Sequence, residues 1–169
     1  EPLAQAAHKI KIPAVNVWLN SPAKNVSSVL ADFETSGKMA AQHLVGRGFR
    51  RFGYMGFLRE KDTRIQVEGF RKILRPLGFR FTTYRFQRTG LGGEALGWER
   101  FLEGLEKWVD SLEPPFGILV SNDLFCRHLI ETCRAKGLQV PQDIAIVGTS
   151  NEPAICASPY PALTSIDLD

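Results

Sequence analysis

The sequence predicts an α/β domain in which a Rossmann-like parallel sheet is covered by helices on both faces. Short apolar segments alternate along the chain with helix-length amphipathic segments, which is typical of strands joined by right-handed crossover helices. The runs GILV and IAIV are almost continuously apolar, as expected for strands buried on both faces. The chain has 169 residues, of which 44% are apolar and 23% charged, so it can form one well-buried core.

Six short segments bounded by turn residues are the predicted strands: 13–18, 28–31, 51–56, 79–86, 116–121 and 144–149. The first four carry β-branched or aromatic side chains, which favour strands. The last two contain the continuous apolar runs.

Four segments with side chains three and four positions apart on one stripe are the predicted helices: 34–46, 62–76, 94–112 and 123–136. In order, the stripes consist of Met39, Ala40, His43 and Leu44; Ile65, Phe70, Ile73 and Leu74; Leu96, Phe101, Leu105, Trp108, Val109 and Leu112; and Leu124, Leu129, Ile130 and Cys133. Pro76 and Gly78 end the second helix, and Gly137 ends the fourth.

The net charge is modest, because 21 basic residues against 18 acidic ones give +3. A dedicated nucleic-acid-binding domain usually concentrates more positive charge than this. Basic residues are dense between Arg47 and Arg88, where they either form a solvated surface or meet an anionic partner. The first interpretation is favoured.

No apolar run reaches the length of about 18 residues that a membrane-spanning helix needs, and the N-terminal EPLAQAAHKIKIP lacks the features of a signal peptide. Cys126, Cys133 and Cys156 form no C-x-x-C pair, and Cys126 and Cys133, seven positions apart on one face of a predicted helix, are expected to behave as small buried hydrophobes. We therefore expect a reducing, cytoplasmic location and no membrane partner.

Polar residues follow several predicted strands at the point where each strand ends. Asn122 and Asp123 follow one strand, Ser150 follows another, and the loop FLREKDTR with Arg64 follows a third. Ligands of open parallel sheets bind outside the carboxyl ends of the strands. Arg64, Asn122 and Ser150 would thus surround one small polar molecule, while Asp123 is expected mainly as the N-cap of the next helix. For Asn122 we favour ligand contact over a capping role.

No catalytic or metal-binding motif stands out. The segment TGLGG at 89–93 lacks the G-x-G-x-x-G spacing, and there is no P-loop. His8, His43 and His128 have no partners at metal-ligand spacing, and neither Ser121 nor Ser150 lies in a G-x-S-x-G motif. We expect a protein that is not an enzyme, with neither cofactor nor metal.

An ordered set of motifs resembles the type I periplasmic-binding-protein-like fold of LacI/GalR-type regulators, mostly its C-terminal lobe. These are a strand ending in Asn-Asp, then GLQVPQDIAIVG, then PALTS, preceded by IPAVNVW, SSVLADFETSGKMAAQHLVGRGFRRFGYMG and RIQVEGFR. The resemblance covers essentially the whole chain. It implies that 1–32 is a remnant of the N-terminal lobe with the first crossover, 33–162 the C-terminal lobe, and 163–169 the return crossover.

Within this family the chain is similar to the sensing domains of xylose operon regulators. The similarity lies in the stretch GWERFLEGLEKWVDSLEPPFGILVSNDLFCRHLIETC. Those proteins carry a C-terminal AraC-type helix-turn-helix domain, whereas LacI relatives carry their DNA-binding domain N-terminally. Neither is expected within these residues. The resemblance implies the effector domain of a dimeric transcriptional regulator that binds xylose or a similar pentose between two lobes to control DNA binding. The alternative is a periplasmic-type solute-binding protein of a sugar transporter.

The resemblance also assigns ligand residues. Asn122 matches the family's strand-end ligand residue, and Asp123 matches its neighbour that holds the turn. Trp18 falls at the end of an N-lobe strand, where it either stacks on a sugar or packs between the lobes. Asp32 falls at the hinge, where it either accepts from a ligand hydroxyl or caps the following helix.

Two positions depart from the family pattern. Gln66 stands where the family often has Arg, with Arg64 nearby as a partial substitute, and Ser150 stands where the family favours Asp. A pocket that has lost both an arginine and a carboxylate is less ionic, which fits a neutral sugar better than a purine or an acid.

Overall fold

The computed structural model describes residues 2–19, 26–57, 59–87, 95–157, 159 and 162–168. The TGLGG segment, Arg88, Leu58 of the loop FLREKDTR and the side chain of Leu96 lie outside the described part of the chain. None of the described helices is long and apolar enough to span a membrane.

The described elements alternate between helix and strand over most of the chain. In order they are α1 (Pro2–Lys9), β1 (Val15–Asn16), β2 (Ser27–Ser28), α2 (Phe33–Gly46), β3 (Arg51–Phe57), α3 (Lys61–Leu74), a 3-10 turn (Arg75–Leu77), β4 (Arg80–Phe86), α4 (Ala95–Asp110), β5 (Phe116–Val120), α5 (Asp123–Ala135), β6 (Ile144–Thr149), α6 (Pro153–Cys156) and β7 (Thr164–Ile166).

Five of these strands form one all-parallel sheet in the order β4-β3-β5-β6-β7. The predicted α/β fold with a parallel sheet is therefore confirmed. Within the described residues, β1 and β2 pair in parallel with each other and belong to a separate two-stranded sheet.

The sheet is buried on both faces because its strands alternate between two apolar clusters. On β3, Phe52 and Tyr54 pack with α2 and α3, whereas Met55 faces α4 and α5. On β5, Leu119 joins the first group and Ile118 the second. This explains the continuous apolar runs in the sequence.

Several predicted boundaries shift. The strands predicted at 13–18 and 28–31 are only two residues long each. The second major helix ends at Leu74, and a 3-10 turn containing Pro76 follows it, because proline lacks the amide hydrogen that would continue the helix. The sequence analysis did not predict α1 or α6 as helices.

Helices α2 and α3 approach each other closely at two glycines. A Cβ atom on Gly37 would overlap the carbonyl oxygen of Gln66, and a Cβ atom on Gly69 would overlap the carbonyl oxygen of Glu34. The close contact sets the first turn of each helix beside the carboxyl ends of β3, β5 and β6.

Candidate functional site

A small pocket opens at the carboxyl edge of the five-stranded sheet, where polar residues following β5 and β6 meet the first turns of α2 and α3. Its volume is about 140 Å³. The lining residues are Phe33, Phe57, Asp62, Thr63, Gln66, Ser121, Asn122, Ser150 and Leu168. Three predicted site residues, Gln66, Asn122 and Ser150, are thus brought together at the edge where ligands of parallel sheets bind.

Asn122 caps helix α5 and still offers donors to the pocket. Its backbone is extended (φ −158°, ψ 140°), and its Oδ1 accepts a hydrogen bond from the Leu124 amide at 2.9 Å. The Nδ2 group makes no hydrogen bond to the described residues. The expectation that Asp123 is the N-cap was therefore wrong, because the residue one position earlier has the extended backbone that a cap requires.

Asp123 instead holds the turn that follows β6. Its side chain is 1% exposed. Its Oδ1 accepts from the Ser165 hydroxyl at 2.6 Å, and its Oδ2 accepts from the Glu152 amide at 2.9 Å. Both oxygens of the Asp123 carboxylate thus accept hydrogen bonds from the protein. The contribution of Asp123 to the pocket is to hold the turn that carries Ser150.

The turn held by Asp123 presents Ser150 to the pocket in an unusual backbone conformation. Ser150 has φ 106° and Asn151 has φ 51°, both in the region that favours glycine. The Ser150 amide donates to the Ile166 carbonyl at 2.9 Å, and the Asn151 amide donates to Ser165 Oγ at 3.0 Å. Such conformations cost roughly 1–3 kcal/mol each and persist only where surrounding contacts enforce them.

Gln66 forms the floor of the pocket as part of a buried neutral network. It is 1% exposed. Its Oε1 accepts from the Tyr54 hydroxyl at 2.9 Å, and its Nε2 donates to the hydroxyls of Ser36 and Thr149, each at 3.0 Å. Burial raises the pKa of Tyr54, so this phenol stays protonated and donates. Both amide hydrogens of Gln66 are therefore committed to the protein.

The other three predicted residues do not line the pocket. Arg64 is exposed on α3. Asp32 caps α2, with Oδ1 accepting from the Thr35 amide at 2.9 Å and Oδ2 from its hydroxyl at 2.7 Å. These hydrogen bonds lower the pKa of Asp32 below its usual value. Trp18, beside β1, is 51% exposed.

Six residues that line the pocket were not predicted from the sequence: Asp62, Thr63 and Ser121, and the apolar residues Phe33, Phe57 and Leu168. The loop FLREKDTR had been singled out, but Arg64 was chosen from it. Consecutive helical residues point about 100° apart, so Asp62 and Thr63 can face the strand ends while Arg64 faces solvent. The helical periodicity of α3 could have indicated Thr63, because Thr63, Gln66, Val67 and Phe70 share one buried stripe.

The pocket combines hydrogen-bonding groups with apolar walls. Asn122 supplies amide donors, Asp62 a carboxylate, and Ser150 and Thr63 hydroxyls, while Phe33, Phe57 and Leu168 supply apolar surface. Within the described residues, no three His, Cys, Asp or Glu side chains come together as a possible metal site.

Comparisons with known proteins match this chain to one family. The sequence profile of the periplasmic binding protein-like domain matches residues 41–169. The chain is similar to the xylose operon regulatory protein of Escherichia coli K12, with 25% identity over 157 residues, which are 89% of this chain and 39% of that protein. The chain thus spans about two fifths of this curated relative.

Solved structures show the same fold. The structure of the xylose-binding transcription activator xylR matches with a TM-score of 0.77 at 21% identity, covering 99% of this chain and 45% of that one. A periplasmic binding protein/LacI transcriptional regulator from Alkaliphilus metalliredigens QYMF, complexed with D-xylulofuranose, matches with a TM-score of 0.75 at 25% identity. That match covers 94% of this chain and 56% of the other.

Proposed function

We propose a function on the premise that this chain belongs to the periplasmic binding protein-like domain family, as its sequence motifs predicted. In this proposal the chain is part of the effector-binding domain of a transcriptional regulator. It binds a small neutral sugar at the carboxyl edge of its parallel sheet. The observation that carries the proposal is the convergence of Asn122, Ser150 and Asp62 on one pocket with two phenylalanine walls.

The chemistry of the pocket favours a polyol with an apolar face. Amide donors of Asn122 and the carboxylate of Asp62 are complementary to hydroxyl groups, which both donate and accept hydrogen bonds. Phe33 and Phe57 can pack against the C–H face of a sugar ring. No arginine or lysine lines this pocket among the described residues, so an anionic ligand would lack a counter-charge there.

A pentose, with xylose first, is the proposed ligand class. The support comes from similar proteins: one relative is a xylose operon regulatory protein, and one solved structure of similar fold is complexed with D-xylulofuranose.

The pocket is proposed to be one side of a cleft between two lobes. Its volume of about 140 Å³ is below the roughly 300–1,000 Å³ of ligand sites that enclose a small molecule. We assign residues 33–162 to one lobe, 1–32 to a remnant of the other with the first crossover, and 163–169 to the return crossover. Trp18, in the segment assigned to the other lobe, would reach a ligand only in the closed, two-lobed form.

The regulatory consequence follows from differential binding. A sugar that binds the closed form more tightly shifts the population toward that form and so alters DNA binding by a helix-turn-helix domain outside these residues. The proposed regulator is a cytoplasmic homodimer.

The test is calorimetry with xylose, arabinose, ribose, glucose, galactose and a purine, measured on this chain and on any longer natural form that contains it. Binding of one pentose alone supports the proposal. If a purine binds and no sugar does, the ligand class is wrong even though the fold is right.

Asn122 provides the sharper test because its cap and its amide donors can be separated. Asn122→Ser keeps a capping oxygen but replaces the two amide donors with one hydroxyl on a shorter side chain, so we expect it to weaken pentose binding by roughly 1–3 kcal/mol while stability stays nearly unchanged. Asn122→Ala removes the cap as well and should also lower stability by about 1 kcal/mol. Unchanged affinity in Asn122→Ser would remove this residue from the ligand site.

A further inference from the structure

The amino edge of the sheet, opposite the sugar pocket, carries a groove that the proposed function does not use. It has a volume of about 610 Å³ and is lined by Gly48, Arg50, Arg51, Gly78, Phe79, Arg80, Glu113 and Pro115. A second groove of about 480 Å³ shares Arg51, Arg80 and Glu113 with it and continues along Thr82, Ser111 and Leu112. The basic residues that are dense between Arg47 and Arg88 therefore meet in part at one place in the fold.

Two of these arginines are held in fixed positions by neutral partners. Arg51 Nη1 donates to the carbonyl oxygens of Glu113 at 3.0 Å and Pro114 at 3.1 Å. Arg50 Nη1 donates to the carbonyl of Phe49 at 2.8 Å, and its guanidinium lies 5.4 Å from the centre of the Phe79 ring. Backbone carbonyls fix a guanidinium without cancelling its charge, so both groups are pre-organised cations.

Strand pairing places a third cation beside them. Arg51 on β3 is in register with Arg80 on β4. Paired residues of parallel strands point to the same side of the sheet, and the strands are about 4.8 Å apart. The two side chains are therefore neighbours with like charges, and an anion bound between them would relieve their mutual repulsion.

The acidic residue that lines this groove, Glu113, neutralises only part of the positive charge of the arginines. Glu113 approaches Arg51 Nη2 at 3.6 Å, and its side chain is 69% exposed. An ion pair of that kind is weak. The Arg80 side chain makes no hydrogen bond or ion pair with the described residues.

Helix ends do not explain the arrangement. The C-terminus of α2 lies at this edge, and Arg50 Nη1 also lies 3.4 Å from the Val45 carbonyl, which suits a cation at a helix C-terminus. That accounts for Arg50. It does not account for Arg80, which opens a strand and contacts no helix carbonyl in the described chain.

We propose that this groove is a second ligand site, which binds an oxyanion, the phosphate or carboxylate group of a small anionic compound, between Arg80 and Arg51. Guanidinium groups present paired N–H donors that match the two oxygens of either group. Phe79 and Pro115 border the site, so an apolar portion of the compound can rest beside its charged group.

Thermal unfolding of the chain in phosphate, citrate and chloride at equal ionic strength tests the proposal. Phosphate or citrate should raise the unfolding midpoint saturably, by roughly 3–6 °C at ten times the dissociation constant for a domain of this size. A rise with phosphate alone identifies a phosphate group, a rise with citrate alone a carboxylate, and a rise with both shows that the site accepts either.

Matched arginine variants separate the site from general salt effects, because phosphate stabilises many proteins without binding to a site. Arg80→Gln should lose the anion-dependent rise. Arg75→Gln should keep it, because Arg75 lies outside the groove, is 71% exposed and is paired with Glu68 at 3.6 Å. At low salt without either anion, Arg80→Gln should be at least as stable as the parent chain, because a like-charge contact is removed.

Three results would overturn the proposal. One is a parallel rise in the parent chain and both variants, which would be a general salt effect. Another is a midpoint that phosphate and citrate raise no further than chloride does. The third is a lower low-salt midpoint for Arg80→Gln than for the parent chain, since that would show that Arg80 stabilises the empty groove.

Discussion

Gln66 joins three elements through one amide, bonding to Tyr54 on β3, Ser36 on α2 and Thr149 on β6. Thr149 in turn donates to the Val120 carbonyl at 2.9 Å, which extends the network to β5. Because each group is neutral and has a partner, the network can lie beneath a ligand site without an unpaired charge. We propose that it keeps the floor of the pocket in one conformation.

The bond between Tyr54 and Gln66 can be measured by a double-mutant cycle. Gln66→Leu alone leaves the buried Tyr54 hydroxyl without this acceptor and should cost about 1–3 kcal/mol of stability. Tyr54→Phe combined with Gln66→Leu removes both partners, so its cost should be smaller than the sum of the two single costs. Urea unfolding of the four proteins gives the comparison. Strictly additive costs would mean that the bond contributes nothing.

At the scale of elements, the position of the pocket depends on how closely α2 and α3 pack. Gly37 and Gly69 face the partner helix at the two points of closest approach. The same packing brings Phe33 at the start of α2 and Asp62 at the start of α3 to the lining of one pocket. The helix pair is thus both a structural unit and the frame of the ligand site.

Alanine substitutions at three glycines test this role. Gly37→Ala and Gly69→Ala should each destabilise the chain by about 1–3 kcal/mol or more, since the new methyl group meets the backbone of the other helix. Gly46→Ala is the matched control, because it lies at the end of α2 with open space around its Cβ position. It should be neutral or stabilising by up to about 1 kcal/mol. Equal effects at the three positions would refute the close-packing explanation.

At the scale of the whole molecule, all three cysteines are buried in the fold. Cys126 and Cys133 lie in the cluster between α4, α5 and the sheet, and Cys156 lies in the short helix α6. Burial raises the pKa of each thiol, to about 11 for Cys133. The prediction that Cys126 and Cys133 are buried is confirmed, and Cys156 is buried as well.

Thiol reactivity should therefore report global unfolding. Only the thiolate reacts, so the folded chain should react slowly with a disulfide reagent at neutral pH, and the reaction should accelerate across the urea transition. Cys156, 9% exposed in a four-residue helix, should be the fastest of the three in the folded state. Cys156→Ala should remove the fastest phase and Cys133→Ala should not. A fast reaction of the folded chain that persists in Cys156→Ala would contradict the burial of Cys126 and Cys133.

The candidate site could be predicted from the sequence only in part. The strand ends at Asn122 and Ser150 were recognisable, because apolar runs stop abruptly there. The roles of the residues beside them were not recognisable from the sequence. Asn122, rather than Asp123, is the N-cap of α5. A cap depends on one residue's backbone angles, which composition and spacing leave open.

The sequence by itself determined the order and type of the major elements, because helix and strand periodicities are local properties of the chain. It also determined that the sheet has two buried faces. Only the tertiary structure decided which side chains meet. It turned Asp62 and Thr63, rather than Arg64, toward the pocket and set Arg51 beside Arg80 across two strands. Such contacts depend on helix phase and strand register, which are set by packing between residues far apart in the sequence.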